Sequence, residues 1–472
     1  MTDPAPPVVL EINGESRQFP AGTRLIDACS QIGVDVPHFC YHTHLSVAGN
    51  CRMCAVEIEG QRGLPISCNT IVAPGMKVKT ESERVKAARQ SVMEFLLVNH
   101  PIDCPICDQA GECKLQVYYM AHDLKPSRLD VEKVEYAKRV PVGPRVTLDQ
   151  ERCVECTRCI RFCDEVTETH ELRMVNRGDR NAIDCFPGTS LDNHYSVNTA
   201  DICPVGALTQ TDFRFKARAW FLKPVKSICP GCAKGCNVVV DYYEHAIVDD
   251  HNGKAYRLRP RVNDAVNAAW MCDFGRLEYR PVNDDRLTVA MLRGEPRGYD
   301  EVLTSARQEL ARHGRNALIV TSFDASNEEM EALRRLARET LGGATVVAVP
   351  VRPDGFSDDF LLRGDKHPNR RGAEALGLAR SYGELPTLLE GRTAALFHRV
   401  DFGLDLDGRV AAAFGALETR AVIAANASPA ADLATHLLPG ASFIEREGTW
   451  INEQGRVQRF RRAYRARKGT RE

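Results

Sequence analysis

The cysteines are the residues whose number and spacing could support chemistry. The chain has 472 residues and eighteen cysteines, all at or before Cys272. Its N-terminus, Met-Thr-Asp-Pro-Ala-Pro-Pro, lacks the basic start and apolar stretch of a signal peptide, so we expect a reducing compartment. In such a compartment, clustered thiols indicate metal binding rather than disulfides. The chain therefore divides into a metal-binding part and a stretch of 200 residues without cysteine.

The first candidate set follows the pattern C-x10-C-x2-C-x13-C. It consists of Cys40, Cys51, Cys54 and Cys68. Three thiolates in one loop with a distant fourth are typical of plant-type [2Fe–2S] ferredoxins, although the first gap is longer here. A four-cysteine zinc site is the alternative, but such sites usually show two short paired knuckles. The single x2 knuckle between strand-like segments favours iron.

The second set combines one imidazole with three thiols in the pattern H-x3-C-x2-C-x5-C. It consists of His100, Cys104, Cys107 and Cys113. Imidazole and thiolate both suit zinc as well as iron, so ligand type alone leaves the two metals open. A lone histidine before proline is more often structural than ligating. Its place just ahead of three closely spaced cysteines nevertheless makes His100 a candidate ligand.

The third set is a compact C-x2-C-x2-C triplet with a remote Cys-Pro. It consists of Cys153, Cys156, Cys159 and Cys203. The triplet can wrap one corner of a [4Fe–4S] cubane, which the remote cysteine completes, and zinc rarely takes such a triplet. Cys163 lacks the proline that follows a second-cluster ligand. We interpret it, with Cys29 and Cys185, as a buried cysteine that binds no metal.

The fourth set has the pattern C-x2-C-x3-C-x35-C, which also suits [4Fe–4S]. It consists of Cys229, Cys232, Cys236 and Cys272. The long final gap makes Cys272 its least secure member. The sequence thus predicts one [2Fe–2S] and three [4Fe–4S] clusters, held by fifteen cysteines and one histidine.

The segments that must position these residues have distinct patterns. Residues 8–80 predict short strands around one helix, with Val8–Ile12 and Cys54–Glu59 as strands and a threonine-capped helix at Thr23–Ile32. Residues 82–120 predict helix after Ser82. From about 300 the pattern becomes βαβ, which implies a parallel sheet. Its predicted elements are a strand at Asn316–Thr321, a helix opened by the capping box Ser326-Asn-Glu-Glu329 and a strand at Ala344–Val349.

Composition excludes several classes of partner. The formal net charge of −1 gives no electrostatic case for nucleic acid or for an anionic membrane. No run of 18 apolar residues occurs, so we expect no direct membrane insertion. Neither G-x-G-x-x-G nor a P-loop is present, and we find no nucleotide site. The basic C-terminus, with residues such as Arg461, Arg467 and Arg471, is interpreted as a solvated or partner-binding tail.

Taken in this order, the four sets resemble the large peripheral-arm iron–sulfur subunit of respiratory NADH:quinone oxidoreductase (complex I), known in bacteria as the G subunit. They match its [2Fe–2S] motif, its motif of one histidine and three cysteines, its next [4Fe–4S] motif with DICPVGAL at 201–208, and the extra cluster motif of some bacterial members. The resemblance covers residues 8–280. It implies a subunit of that oxidoreductase with no catalytic residue of its own, relaying single electrons from a flavin-bearing partner toward quinone. It also implies that the first two clusters receive or buffer electrons near the flavin and that the third passes them onward.

The same resemblance implies partners and a location. The partners would be the flavin- and NADH-binding subunit and other peripheral-arm subunits of complex I. The chain would then lie on the cytoplasmic side of the bacterial inner membrane, as a peripheral part of a membrane complex.

Residues 431–458, ADLATHLLPGASFIEREGTWINEQGRVQ, resemble a segment of the molybdopterin oxidoreductases. Only 200 residues follow Cys272 and none is a cysteine, so no thiolate is available for molybdenum. We therefore expect a degenerate domain that binds no molybdopterin. The alternative function is the iron–sulfur subunit of a soluble NAD-linked formate dehydrogenase or hydrogenase, which share the N-terminal modules. A third class, a zinc-bearing structural scaffold, is disfavoured by the compact triplets.

The predicted fold class is multidomain, α+β followed by α/β. Five domains are expected: a β-grasp 2Fe–2S ferredoxin-like domain at 1–82, a helical 4Fe–4S domain with one His and three Cys ligands at 83–145, a 4Fe–4S ferredoxin-like domain at 146–222, a 4Fe–4S domain of the Mo/W bis-MGD type at 223–280, and a truncated parallel-sheet molybdopterin-oxidoreductase-like domain at 281–472.

Overall fold

The computed structural model describes residues 6–123, 125–244 and 253–471. The chain divides between residues 220 and 221 into two compact units. In the described part of the chain, no helix is long and apolar enough to cross a membrane.

The first unit begins with a mixed four-stranded sheet. Alternation along the first strand buries Val8, Leu10 and Ile12 against the core, as the sequence predicts. The sheet has the order β2-β1-β4-β3, in which β1 runs parallel to β4 and antiparallel to β2. The elements are β1 Val8–Ile12, β2 Glu15–Phe19, α1 Leu25–Gln31, β3 Glu57–Ile58 and β4 Lys77–Lys79.

Two local predictions in this region were wrong. The Thr23 hydroxyl donates to the carbonyl of Pro20 instead of capping α1, and the N-cap residue is Arg24, whose side chain makes no capping hydrogen bond. The strand predicted over Cys54–Glu59 shortens to Glu57–Ile58, because Cys54 belongs to the loop that carries the first cysteine set.

Two helices flank the second set, namely α2 Glu83–Leu97 and α3 Lys114–His122. The Ser82 hydroxyl caps α2 by accepting from the backbone N–H of Val85, as predicted. The helical pattern predicted over 82–120 is interrupted between the two helices, and the residues of the second set lie in that interruption.

The rest of the first unit is built from short elements around the third set. A three-stranded sheet has the order β5-β6-β9, and β7 pairs with β8. The elements are β5 Val140–Pro141, β6 Val146–Leu148, α4 Arg158–Glu165, β7 Leu172–Val175, β8 Ala182–Cys185, α5 Asn198–Asp201 and β9 Leu208–Gln210.

The second unit begins with an antiparallel sheet of three strands, β10-β11-β12, followed by a short helix. The elements are β10 Lys223–Ile228, β11 Asn237–Tyr243, β12 Lys254–Pro260 and α6 Arg280–Asn283. Val238, Val240 and Leu258 form its core.

The rest of the second unit contains a seven-stranded sheet of order β14-β13-β19-β18-β17-β15-β16 and a separate antiparallel pair of strands, β20 and β21. The five strands from β19 to β16 are parallel, which confirms the predicted parallel sheet, and the capping box of Ser326 and Glu329 opens α8 as predicted. The elements are β13 Met291–Leu292, β14 Glu295–Pro296, α7 Tyr299–His313, β15 Ala317–Ser322, α8 Asn327–Glu339, β16 Thr345–Val349, α9 Arg370–Ala375, α10 Leu385–Leu389, β17 Ala394–His398, α11 Arg409–Gly415, β18 Thr419–Ala424, α12 Pro429–Asp432, β19 His436–Pro439, β20 Gly448–Ile451 and β21 Val457–Phe460.

Helices cover both faces of this sheet. Leu318 and Phe397 pack with Phe414 on one face, and Ile319 and Leu396 pack with Leu333 on the other. Strand order reverses between β15 and β17, because the chain goes from β15 outward to β16 and then returns to the other side of β15. This is the switch point of a doubly wound sheet.

The C-terminal tail is only partly solvated. Arg467 donates to the backbone carbonyl of Val282, and Arg471 forms a bidentate ion pair with Asp300. Arg461 and Arg471 are exposed, as a solvated tail requires, whereas Arg467 is partly buried.

Candidate iron–sulfur cluster sites

The first set lies on both sides of β3, with three cysteines in the loop between α1 and β3 and Cys68 between β3 and β4. Cys40, Cys54 and Cys68 are buried and Cys51 is partly exposed. The thiols meet in two hydrogen-bonded pairs, Cys40 with Cys51 and Cys54 with Cys68. The bond from Cys51 lowers the pKa of Cys40 to about 5, and the bond from Cys68 lowers the pKa of Cys54 to about 7. Each pair therefore offers one stabilised thiolate, the form that binds metal.

The residues of the second set line one apolar cavity of about 110 Å³ between α2 and α3. His100, Cys104, Cys107 and Cys113 all contribute to its wall. Burial lowers the pKa of His100 to about 4, so its imidazole is neutral, as a metal ligand must be. Its Nδ1 atom is buried and has no hydrogen-bond partner in the described part of the chain. An unsatisfied buried nitrogen beside three thiols fits a site for a metal cluster, because leaving such an atom unpaired is costly.

Gly206 provides the space beside Cys107. A Cβ atom at Gly206 would lie 2.2 Å from the Cys107 Sγ. At this distance the two atoms clash, so either the thiol or the backbone of Gly206 would have to move. Gly206 belongs to the DICPVGAL stretch that follows Cys203, so the loop of the third set forms part of the wall of the second.

Replacement of Gly206 by Ala should therefore disturb the second site. We expect the displaced Cys107 thiol to weaken or abolish the second [4Fe–4S] signal in electron paramagnetic resonance (EPR), and the overpacking to cost about 1–3 kcal/mol of stability. Gly63→Ala is the matched control, because a Cβ there meets no atom within 4 Å. A full-strength second-site signal in the Gly206 variant would contradict this account.

The four residues of the third set line another small apolar cavity. Cys153, Cys156, Cys159 and Cys203 meet there beside Leu148 and other apolar side chains. Burial, followed by the neighbouring Cys203, raises the pKa of Cys156 to about 11. Thiols packed so closely in apolar surroundings need a cation, such as cluster iron, to become thiolates.

The triplet loop has an unusual backbone. Glu155 and Thr157 both adopt left-handed conformations, with φ of 50° and 58°. These two residues flank Cys156 and bend the chain so that its thiol faces the same cavity as those of Cys153 and Cys159. Backbone strain of this kind concentrates at functional sites.

The fourth set meets in a cavity of about 330 Å³ in the second unit. Cys229, Cys232, Cys236 and Cys272 all line it, so the fold brings Cys272 back to the others despite the long gap. The backbone N–H of Cys229 donates to the carbonyl of Cys236 at 2.8 Å and closes the turn. A Cβ atom at Gly275 would lie 2.9 Å from the Cys229 Sγ. The absence of a side chain at Gly275 therefore leaves space for this thiol, as the absence of one at Gly206 does for Cys107 in the second site.

The third site is joined by hydrogen bonds to both other sites of the first unit. Toward the second site, the backbone N–H of Lys114 donates to the carbonyl of Pro204 at 3.0 Å. Toward the first, the Asn50 side chain donates to the carbonyl of Glu155 at 3.0 Å. Because these residues adjoin ligand candidates or lie between them, the three cysteine loops form one connected body.

Sequence reasoning missed the residues that shape the sites. Gly206 and Gly275 are such residues, and the position of Gly206 three residues after Cys203 was the available signal. The remaining cysteines, Cys29, Cys163 and Cys185, line none of the three cavities of the second, third and fourth sets. Within 6–123, 125–244 and 253–471, no group of three or more His, Cys, Asp or Glu side chains is arranged to hold a single metal ion.

Three protein-family models match the chain. Residues 5–83 match a 2Fe–2S iron–sulfur cluster binding domain, and residues 89–128 match the NADH-ubiquinone oxidoreductase-G iron–sulfur binding region. Residues 143–209 match the ferredoxin-like domain of NADH-quinone oxidoreductase subunit 3. The chain therefore contains 2Fe–2S and 4Fe–4S binding domains, together with mixed α/β sheets.

Similar proteins carry consistent names. The G subunit of the NADH-quinone oxidoreductase of Streptomyces coelicolor is 38% identical over 71% of this chain and 40% of its own length, and that of Rickettsia typhi is 40% identical over 61% and 41%. The mitochondrial NADH dehydrogenase [ubiquinone] iron–sulfur protein 1 of Solanum tuberosum is 42% identical over 62% of this chain and 38% of its own length.

The matched regions thus span about two fifths of the length of these relatives. A chain in the crystal structure of NAD+-reducing [NiFe]-hydrogenase in the H2-reduced state is 28% identical to this chain. The match covers 44% of this chain and 90% of the hydrogenase chain, with a TM-score of 0.40. Over its iron–sulfur domains, the chain is similar to the G subunits of NADH-quinone oxidoreductases, at 38% and 40% identity to the two named above.

Proposed function

We propose that the chain is the electron-transfer iron–sulfur subunit of an NADH:quinone oxidoreductase and relays single electrons from a flavin-bearing partner toward quinone. The observation that carries the proposal is that each of four ligand sets converges on one place in the fold, in a chain whose relatives are named as the G subunit of that oxidoreductase. When bound, iron–sulfur clusters accept and donate one electron at a time. The residues of the chain hold them, separate them and exclude water from them.

The proposed assignment is one [2Fe–2S] and three [4Fe–4S] clusters. The first set would hold the two-iron cluster, and the other three sets would each hold a four-iron cluster. In the second site, the neutral imidazole of His100 replaces one thiolate. The fourth set of ligands would make residues 223–280 a cluster-binding domain of their own in the second unit. We propose this domain as the fourth of the five domains that the sequence predicts.

The contacts within the first unit favour an order of transfer. Since the loop of the third set bonds directly to the loops of both other sets, we propose that electrons pass from the first site to the third and then to the second. This differs from the order that the resemblance implied, in which the third cluster passes electrons onward. The first and second sites also approach each other, through a hydrogen bond from the His38 N–H to the Tyr118 hydroxyl, but Tyr118 lies five residues beyond Cys113.

We also propose that the parallel sheet of the second unit is a degenerate molybdopterin-oxidoreductase-like domain that binds no molybdopterin. Ligands of doubly wound sheets bind at the carboxyl ends of the strands beside the switch point. Here His398 and Arg399, at the end of β17, contact Glu329 of α8, which also binds Arg446. The chain's own ion pairs occupy this position, which supports a structural role.

A protein partner is supported by apolar side chains exposed around the second site. Phe95 on α2, and Val117 and Met120 on α3, are each more than half exposed. Apolar side chains that cluster on a surface often mark a protein interface. We propose that the partners are the flavin-bearing subunit and other peripheral-arm subunits, and that they hold the chain on the cytoplasmic side of the bacterial inner membrane.

The test of this function is NADH-dependent ferricyanide reduction, measured with flavin content. Hydride transfer from NADH delivers two electrons together, so a flavin is needed to pass them singly to clusters. We expect the purified chain with its clusters to show no NADH oxidation and no bound flavin, and activity to appear when the chain is joined to a flavin-bearing subunit. Rapid turnover by the single chain with stoichiometric FMN would overturn the subunit assignment.

A further inference from the structure

Arg158, the first residue of α4, is a buried cation with no carboxylate partner among the residues that the structure describes. Only 6% of its surface is exposed. It donates through Nη1 to the carbonyl of Ile202 at 3.0 Å and through Nη2 to the carbonyl of Tyr41, and its buried Nε has no partner. In the part of the chain that the structure describes, no carboxylate forms an ion pair with it. A buried guanidinium held only by neutral carbonyls is costly, so a negative charge must balance it.

The groups nearest to Arg158 are the proposed cluster ligands. Tyr41 follows Cys40 of the first set, and Ile202 precedes Cys203 of the third. Arg158 itself lies between Cys156 and Cys159. Burial lowers the pKa of Arg158, and negative charge on Cys156, Cys203 and Cys40 opposes that shift.

Arg161, one turn further along α4, repeats this arrangement. Its Nη2 donates to the carbonyl of Cys40 at 2.6 Å and to that of Cys156 at 3.1 Å, and its Nη1 donates to the carbonyl of Ser46. It too has no carboxylate partner among the described residues. Two guanidinium groups thus join the first and third ligand loops.

We propose that Arg158, assisted by Arg161, is the shared counter-ion of the first and third clusters and raises the reduction potential of both. The inference rests on the proposed cluster ligation and not on the identity of the partner enzyme. Each cluster gains one negative charge when it accepts one electron, and the arginine stays protonated, so no proton moves. A fixed positive charge beside both clusters stabilises their reduced forms.

The test is an anaerobic potentiometric titration of the full chain with dithionite, followed by EPR, in Arg158→Gln and Arg158→Lys. We expect the Gln variant to lower the equilibrium constant for reduction of the first and third clusters at least tenfold, which is about 59 mV for one electron. The second and fourth clusters should be unchanged, and the Lys variant should retain most of the potential. Arg173→Gln is the control, since Arg173 lies close by in the fold but pairs with Asp164.

The outcomes separate an electrostatic role from a merely structural one. Unchanged potentials in the Gln variant, or equal shifts in the Gln and Lys variants, would overturn the proposal. If Arg158→Gln fails to hold clusters, Arg161→Gln replaces it, and unchanged first and third potentials in that variant would also overturn the proposal. A wild-type chain that holds no clusters would refute the proposed function itself, a result distinct from these.

Discussion

Replacement of His100 by Ala should remove the second [4Fe–4S] cluster and interrupt electron transfer through the assembled complex. The imidazole lines the cavity that the three cysteines of the set share, and among the described residues its buried Nδ1 has no hydrogen-bond partner. Without it, one cluster iron would lose its protein ligand. We expect loss of one four-iron EPR signal, with the other three clusters retained.

His100→Cys separates the presence of a ligand from its charge. A thiolate at this position should restore the cluster but add one negative charge, which disfavours reduction. We therefore expect the second cluster to return with a lower potential than in the wild type. His122→Ala, on α3 and outside the ligand set, serves as the control. A full set of clusters in His100→Ala would show that this histidine is not a ligand.

The second large effect concerns Glu329 at the switch point of the parallel sheet. Its carboxylate lies 2.6 Å from Arg446 and 3.1 Å from Arg399, and it also accepts from the backbone N–H of Ser326 at 2.7 Å. Burial alone would raise the pKa of Glu329, but the two guanidinium groups outweigh it and hold the pKa well below its usual range. Glu329→Gln leaves two largely buried cations without a counter-charge, which should cost about 3 kcal/mol.

The measurement is urea denaturation at neutral pH, followed through the buried Trp450 of the second unit. Glu331→Gln is the matched control on the same helix, because its 3.1 Å pair with Arg334 is exposed and should contribute less than about 1 kcal/mol. Equal midpoints in the two variants would contradict the role given to Glu329.

The same carboxylate fixes the sign of a pH effect. Because its folded-state pKa is depressed, its contribution is complete above the pKa of the unfolded carboxyl, about 4.3. It declines as the pH falls below that value toward the folded-state pKa. The acid-side loss of stability should therefore be shallower in Glu329→Gln than in the wild type.

Spacing along the chain was sufficient to group the ligand candidates, because short gaps such as those from Cys153 to Cys159 hold thiols within one loop. It was also sufficient for the capping box at Ser326, which is a local interaction. The sequence could not predict that the third site contacts the loops of both the first and the second site. Those contacts depend on tertiary hydrogen bonds, such as the bond from the Lys114 N–H to the Pro204 carbonyl. Gly206 and Arg158 were missed for the same reason.

Local patterns failed where a nonlocal or competing interaction was stronger. Thr23 has the residue type of a helix cap, but its hydroxyl donates a hydrogen bond to the carbonyl of Pro20 instead. Arg467 lies in a stretch with the composition of a solvated tail, but it is partly buried and donates to the backbone carbonyl of Val282, far away in sequence. The assignment of the sixteen ligands stays a prediction.

Metal and sulfide analysis of the anaerobically purified chain tests the central claim most directly. One [2Fe–2S] and three [4Fe–4S] clusters require about fourteen iron and fourteen acid-labile sulfide per chain. We expect those amounts, with little zinc and no molybdenum or tungsten. Stoichiometric zinc without sulfide would contradict the account.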